Sequence, residues 1–179
     1  MAEKLVDIQA AEVDPAQDLA RYPDLLTAYD YWSAKRGDRF APARRDIDPA
    51  EIPSILPRIL LADVLHNEPG DVAFRYRLSG TRIGEVHGRE LTGKSPLDLE
   101  PPQYGRLVES HYREAVERRQ PLVHVIALHT DKKMRSYARI ILPLSDDGQT
   151  INMLMMVDSA AENTLQEFLE TLEMLGRRR

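Results

Sequence analysis

Pro57–Gly93, PRILLADVLHNEPGDVAFRYRLSGTRIGEVHGRELTG, decides the fold. Ile59 to His66 is a short apolar run of the kind that forms a buried strand. Asn67-Glu68-Pro69-Gly70-Asp71 then supplies a hairpin connection. Beyond it Val72, Phe74, Tyr76 and Leu78 alternate with Ala73, Arg75, Arg77 and Ser79, the period of a half-buried strand. After Gly80 and Thr81 the spacing predicts a short helix over 82–87, stopped by Gly88, and an irregular stretch over 91–99.

Downstream, Tyr104, Leu107, Val108, His111, Tyr112 and Ala115 recur at helical spacing, which predicts a long central helix from about Pro102 to Arg119, ended by Pro121. Three strands are expected at 122–130, 134–144 and 150–158, joined by connections short enough to favour sequential antiparallel pairing. A last helix is expected from Ser159, where Ser159 and Glu162 have capping-box spacing and Leu165, Phe168, Leu169, Leu172 and Leu175 form an apolar stripe. Upstream, residues 37–57 hold four prolines, which forbid a long helix and imply an ordered connector, with a single turn at Asp48-Pro49-Ala50-Glu51. Pro23 and Gly37 bound an amphipathic helix striped by Leu25, Leu26, Tyr29 and Trp32. Residues 1 to about 20 show weak periodicity and read as a loose extension.

The expected fold is therefore α+β, a five-stranded antiparallel sheet with helices on one face, flanked by N- and C-terminal helices. The organisation is 1–38 as extension and amphipathic helix, 39–158 as the main domain, and 159–179 as C-terminal helix and basic tail. A chain of 179 residues, 42% hydrophobic and 30% charged, fits one folded domain with extensions. Its net charge of −5 opposes broad attachment to nucleic acid or to anionic membrane, so neither is an expected partner. The absence of cysteine removes disulfides, thiolate metal sites, cysteine nucleophiles and a cysteinyl-flavin adduct. The acidic N-terminus lacks a signal-peptide core, so a cytoplasmic location is expected.

The segments PRILLADVL, FRYRLSGTRIGEVHGRELTGK and ARIILPLSDDGQTINMLMMV, led in by ARRDIDPAEIPSILP, resemble the PAS superfamily, and within it the proteobacterial family of short stand-alone PAS-like proteins. The resemblance covers roughly residues 39–158. It implies a curved sheet whose concave face and covering helices can enclose a small ligand, with flanking helices used for dimerisation and signal output. The leading expectation is a non-enzymatic sensor or regulator that binds a small ligand or an unidentified signalling protein. The alternative is a ligand-free homodimeric scaffold.

Tyr76, Tyr137 and Met153 in strands and Tyr104 in the central helix are side chains that can line a cavity or fill the core. His111 sits on the inward stripe, where haem-binding members of the superfamily place an iron ligand; no second motif here specifies haem, and the residue can equally be a core histidine. Arg82 can hold an anion through its fork or pair with Glu85 at the surface. His87 with Glu85, or His124 with His129, lack a coherent metal-ligand set. Ser79, His87 and Asp98 can be drawn as a hydrolase triad, but no nucleophile elbow accompanies them. Leu25, Tyr29 and Trp32 at one end and Leu165, Phe168, Leu169 and Leu172 at the other can cover their own sheet or a second subunit.

Overall fold

The computed structural model describes residues 4–160. The C-terminal helix expected from Ser159, with Leu165, Phe168, Leu169 and Leu172, lies beyond the described residues. Within them the chain runs β1 (Leu5–Val13), α1 (Pro15–Asp18), α2 (Pro23–Arg36), a connector of 3-10 turns, β2 (Ile59–Glu68), β3 (Asp71–Ser79), α3 (Thr81–His87), α4 (Pro102–Arg118), β4 (Leu122–Thr130), β5 (Met134–Leu144) and β6 (Met153–Asp158). All neighbours pair antiparallel, in the order β1-β4-β5-β6-β2-β3.

The sheet has six strands where the sequence predicted five. The extra one is β1, which falls inside the segment read as a loose extension. Its register runs from Leu5 against Thr130 to Val13 against Val123, and Val13 is buried. β1 is an edge strand with only every third side chain partly covered, so it lacks the strict alternation that marks a half-buried strand.

The punctuation read from the sequence falls where expected. Pro23 opens α2 and Gly37, at φ 55°, follows its end; Gly88, at φ 66°, caps α3 in the left-handed conformation. Asp48 accepts from the Ala50 N–H to start the single turn over Pro49–Glu51. Gly80 works differently. Its φ of −61° and ψ of 153° suit any residue, but a Cβ there would lie 2.5 Å from the Pro57 carbonyl oxygen and 2.7 Å from that of Leu56. The glycine is required by close approach of two backbones, not by torsion.

Two apolar layers sandwich the sheet. On one face Leu25, Ala28 and Trp32 of α2, with Ile47, Ile52 and Ile55 of the connector, bury Val125, Ile140, Met153, Met155 and Val157. Trp32 Nε1 donates to the Pro143 carbonyl at 2.7 Å, fixing α2 to β5. On the other face Ile83 of α3, Leu91, Leu99 and the Tyr104, Val108, Tyr112 stripe of α4 cover Leu60, Phe74, Tyr76, Ile141, Leu154 and Met156. β3 keeps its alternation through Phe74 and Tyr76, both buried, and then loses it. The register passes from Ala62 opposite Tyr76 to Leu61 opposite Leu78, leaving Arg77 as an extra residue. This bulge turns Leu78 outward to 43% exposure, although period-two spacing assigns it to the covered face.

Candidate ligand-binding site

The face covered by α3 and α4 carries an unusual polar cluster. Arg139 of β5 lies directly across from Asp158, the last residue of β6, and is only 2% exposed. Its Nε donates to Asp158 Oδ1 at 2.6 Å and its Nη2 to Oδ2 at 3.0 Å, a two-pronged pair. Nη2 also approaches the Tyr104 hydroxyl at 3.4 Å, and the guanidinium lies 5.5 Å from the Tyr137 ring centroid. Nη1 is buried with no hydrogen-bond partner among the described residues. Burial opposes the charge of Arg139, but Asp158, ahead of the surrounding tyrosines, more than offsets it and holds the group firmly protonated.

Two tyrosine pairs flank this centre. Tyr104 of α4 and Tyr137 of β5 bring their hydroxyls to 2.6 Å, and Tyr76 of β3 and Tyr112 of α4 to 3.3 Å. Burial pushes Tyr76 and Tyr137 well above the usual phenol range and Tyr112 up to about 12, so all three are neutral hydroxyls at physiological pH. His111 of α4 and His124 of β4 stack at 3.7 Å with planes 6° apart, their Nδ1 atoms both unpartnered among the described residues. Burial first, then His124 and Arg139, lowers His111 to about 3; burial likewise lowers His124. His87, stacked on Tyr104 at 6.0 Å, is lowered to about 4 by burial and by Arg139. These three histidines are thus uncharged at neutral pH.

Beside this cluster a cavity of about 240 Å³ opens between α3, the start of α4 and the ends of β5 and β6. Ile83, Val86, Pro101 and Leu128 form its apolar side. Tyr104, Tyr137, Ser136, Asp158 and the arginines Arg58, Arg82 and Arg135 form its polar side, and Ser159 and Ala160, where the chain leaves β6, form part of the rim.

The expected site residues divide. Tyr104, Tyr137 and Arg82 meet at the cavity, although Arg82 also pairs with exposed Glu85 at 2.7 Å, the surface pair foreseen as its alternative role. Tyr76 lies deeper, engaged with Tyr112. Met153 points to the opposite face, under α2, because β6 alternates and only Leu154, Met156 and Asp158 share the side of α4. His111 stacks on His124 and does not line the cavity. Leu25 and Trp32 are buried against the protein's own sheet, and Tyr29, half-buried, stacks on Trp32. Asp98, one member of the drawn triad, instead accepts from the Ser95 N–H in a capping turn. Among the described residues no group of three or more His, Asp or Glu is arranged to hold a metal, and no helix is long and apolar enough to cross a membrane.

The centre of the cluster, Arg139 with Asp158, was not singled out from the sequence. A signal was present: Arg139 interrupts an otherwise apolar run over Tyr137–Leu144, and an acid ends the next strand, where antiparallel pairing sets the two opposite each other.

A curled antiparallel sheet with a polar pocket beneath short helices defines an α+β module. The chain belongs to the PAS domain family, whose match covers residues 21–157. No curated protein matches the chain. Among solved structures it is similar to a light-oxygen-voltage domain described with a flavin analogue, at 12% identity and TM-score 0.53, over 74% of this chain and 98% of that one. It is also similar to the PAS domain of BvgS from Bordetella pertussis, at 15% identity and TM-score 0.50, over 73% of this chain and 94% of that one. At these identities the likeness concerns the fold, and the family suggests a sensory or signalling module.

Proposed function

We propose that the protein is a cytoplasmic, non-enzymatic sensory module that binds a compact ligand in the cavity beneath α3 and α4 and passes a change to a partner through the segment leaving β6. One observation carries this reading: the cavity is walled by the last residues of β6, so Asp158, Ser159 and Ala160 are in contact both with a ligand's space and with the exit of the chain. Arg58 Nη1 donates to the Ser159 carbonyl at 3.2 Å, and Ser159 exchanges hydrogen bonds with Ala138. A ligand that shifts any of these contacts acts on that exit directly, through its different affinity for two arrangements. The volume of about 240 Å³ supports a molecule smaller than the occupants of typical pockets of roughly 300–1,000 Å³, and so a compact ligand over a flavin or haem.

Native mass spectrometry of freshly purified protein, compared with its denatured mass, tests the reading. A co-purifying small molecule lost in Leu128→Trp, which fills the cavity, is the expected result; a clean spectrum together with no thermal shift from any metabolite mixture would sink it. The second reading is a ligand-free interaction module assembled as a homodimer. The tyrosine pairs favour it, since Tyr76–Tyr112 and Tyr104–Tyr137 already satisfy each other. It predicts a dimer by light scattering whose assembly is unaffected by Leu128→Trp.

A further inference from the structure

We propose that the cavity recognises a small organic anion, a carboxylate with a compact apolar body, whose head group is received by Arg58 and Arg135. This rests on the sensory reading above and names its ligand class.

The first argument is charge. The chain carries a net −5, yet this cavity gathers three arginines against two carboxylates, Glu100 and Asp158. Asp158 is already matched by Arg139 in the layer beneath and Arg82 by Glu85, and His87 on the wall carries no charge at neutral pH, which leaves Arg58 and Arg135 against Glu100. The site is therefore positive within a negative protein, and a cation is repelled from it.

The second argument is unused hydrogen-bonding capacity. Arg82 is engaged by Glu85, but Arg58 touches only a main-chain carbonyl and Arg135 has no ion-pair or hydrogen-bond partner among the described residues. Arg139 Nη1, buried in the layer beneath, lacks a partner among the described residues. Buried groups of this kind are costly when left unpaired. An acceptor with negative charge satisfies both arginines. A neutral ligand leaves their charges unmatched.

The third argument is the opposite wall. Ile83, Val86, Pro101 and Leu128 give half of the cavity no polar function, so an inorganic ion leaves that half hydrated without gain. The cavity of about 240 Å³ leaves room for a short-chain or single-ring acid. Binding also has a built-in consequence. An anion that draws Arg58 toward itself competes with the Ser159 carbonyl and loosens the exit of β6.

The test is calorimetry on the purified full chain with butyrate, benzoate, phenyl phosphate and inorganic phosphate, each organic acid set against its neutral partner, butyramide, benzamide or benzyl alcohol. Expected is binding of an organic anion at least tenfold tighter than its neutral partner, weakening with added salt, and reduced fivefold or more in Arg135→Ala with partial recovery in Arg135→Lys. Arg135 is exposed, so its replacement leaves folding intact, and Arg58→Ala supplies a second variant. Stronger binding of phenyl phosphate than of benzoate keeps the anion and replaces carboxylate by phosphate ester. Inorganic phosphate binding as tightly as the organic anions overturns the apolar half of the proposal. Equal affinity for amide and acid, or unchanged affinity in both arginine variants, overturns the anion while sparing the sensory cavity. No binding by any compound, with no co-purifying molecule, overturns the sensory reading and this inference with it.

Discussion

Replacing Asp158 by Asn tests the centre of the site most directly. The change keeps the side-chain shape and removes the charge that faces Arg139 at 2.6 and 3.0 Å. Arg139 is 2% exposed and its Nη1 is already without a partner among the described residues, so its charge has little water to fall back on. Stranding one member of a buried pair costs about 3–5 kcal/mol, whereas replacing both by apolar residues of similar size is often near neutral. For a domain whose whole stability is of the order of 5–15 kcal/mol, the single change removes a large share of it. Urea denaturation at pH 7.5 followed by circular dichroism measures this as a lower midpoint at an unchanged slope. Arg139→Met with Asp158→Leu then recovers most of the loss, giving a coupling energy of several kcal/mol in the double-mutant cycle. A cost below about 1 kcal/mol for Asp158→Asn would refute the reasoning, since it would mean that Arg139 finds other compensation or is not buried as a charge.

Gly80→Ala should destabilise by about 1–3 kcal/mol or more, because its Cβ meets backbone atoms of Leu56 and Pro57 rather than a side chain that can swing away, and the loss reads out as a lower thermal midpoint. Gly70→Ala, at a hairpin glycine with φ 84° and no atom within 4 Å, costs only its torsional strain of about 1–2 kcal/mol; equal or reversed losses would contradict this assignment. His111, lowered to about 3, binds its proton more readily in the unfolded chain, whose imidazole titrates near 6.5; its contribution is therefore complete above pH 6.5 and is lost as pH falls toward 3. From pH 7.5 to 5 the protein should lose about 2 kcal/mol more than His111→Phe does, measured by urea melts at both pH values, and parallel losses in the two proteins would count against burial of a neutral imidazole. Tyr104→Phe removes the partner of the Tyr137 hydroxyl at 2.6 Å and should cost about 1–3 kcal/mol by thermal denaturation, with a loss of a few tenths or less ruling out a dry pair.

Most of the framework was legible because its signals are local. The hairpin of β2 and β3, the α3 stop at Gly88, the α4 stripe and β4 to β6 each depend on period and punctuation within ten to twenty residues. What escaped depends on neighbours distant in sequence. β1 is a strand because β4 lies beside it, and Leu78 is exposed because one extra residue in β3 resets the register. The site follows the same division. Tyr104 and Tyr137 were visible as side chains suited to a cavity, and Met153 was as well, but which face of β6 looks toward α4 is settled by pairing. Arg139 reads as an ordinary strand arginine until Asp158 is placed opposite it.

The placement of β1 has a consequence for how the chain acquires its fold. Val13 is made 110 positions before its partner Val123. At translation rates of roughly 5–20 residues per second, the first strand waits about 5–20 s before the strand that receives it exists. Throughout that interval its amide and carbonyl groups are an open template for pairing with another nascent chain. Its own composition guards it: Asp7, Gln9 and Glu12 interleave with the apolar residues of LVDIQAAEV, the charge-broken pattern that discourages premature association.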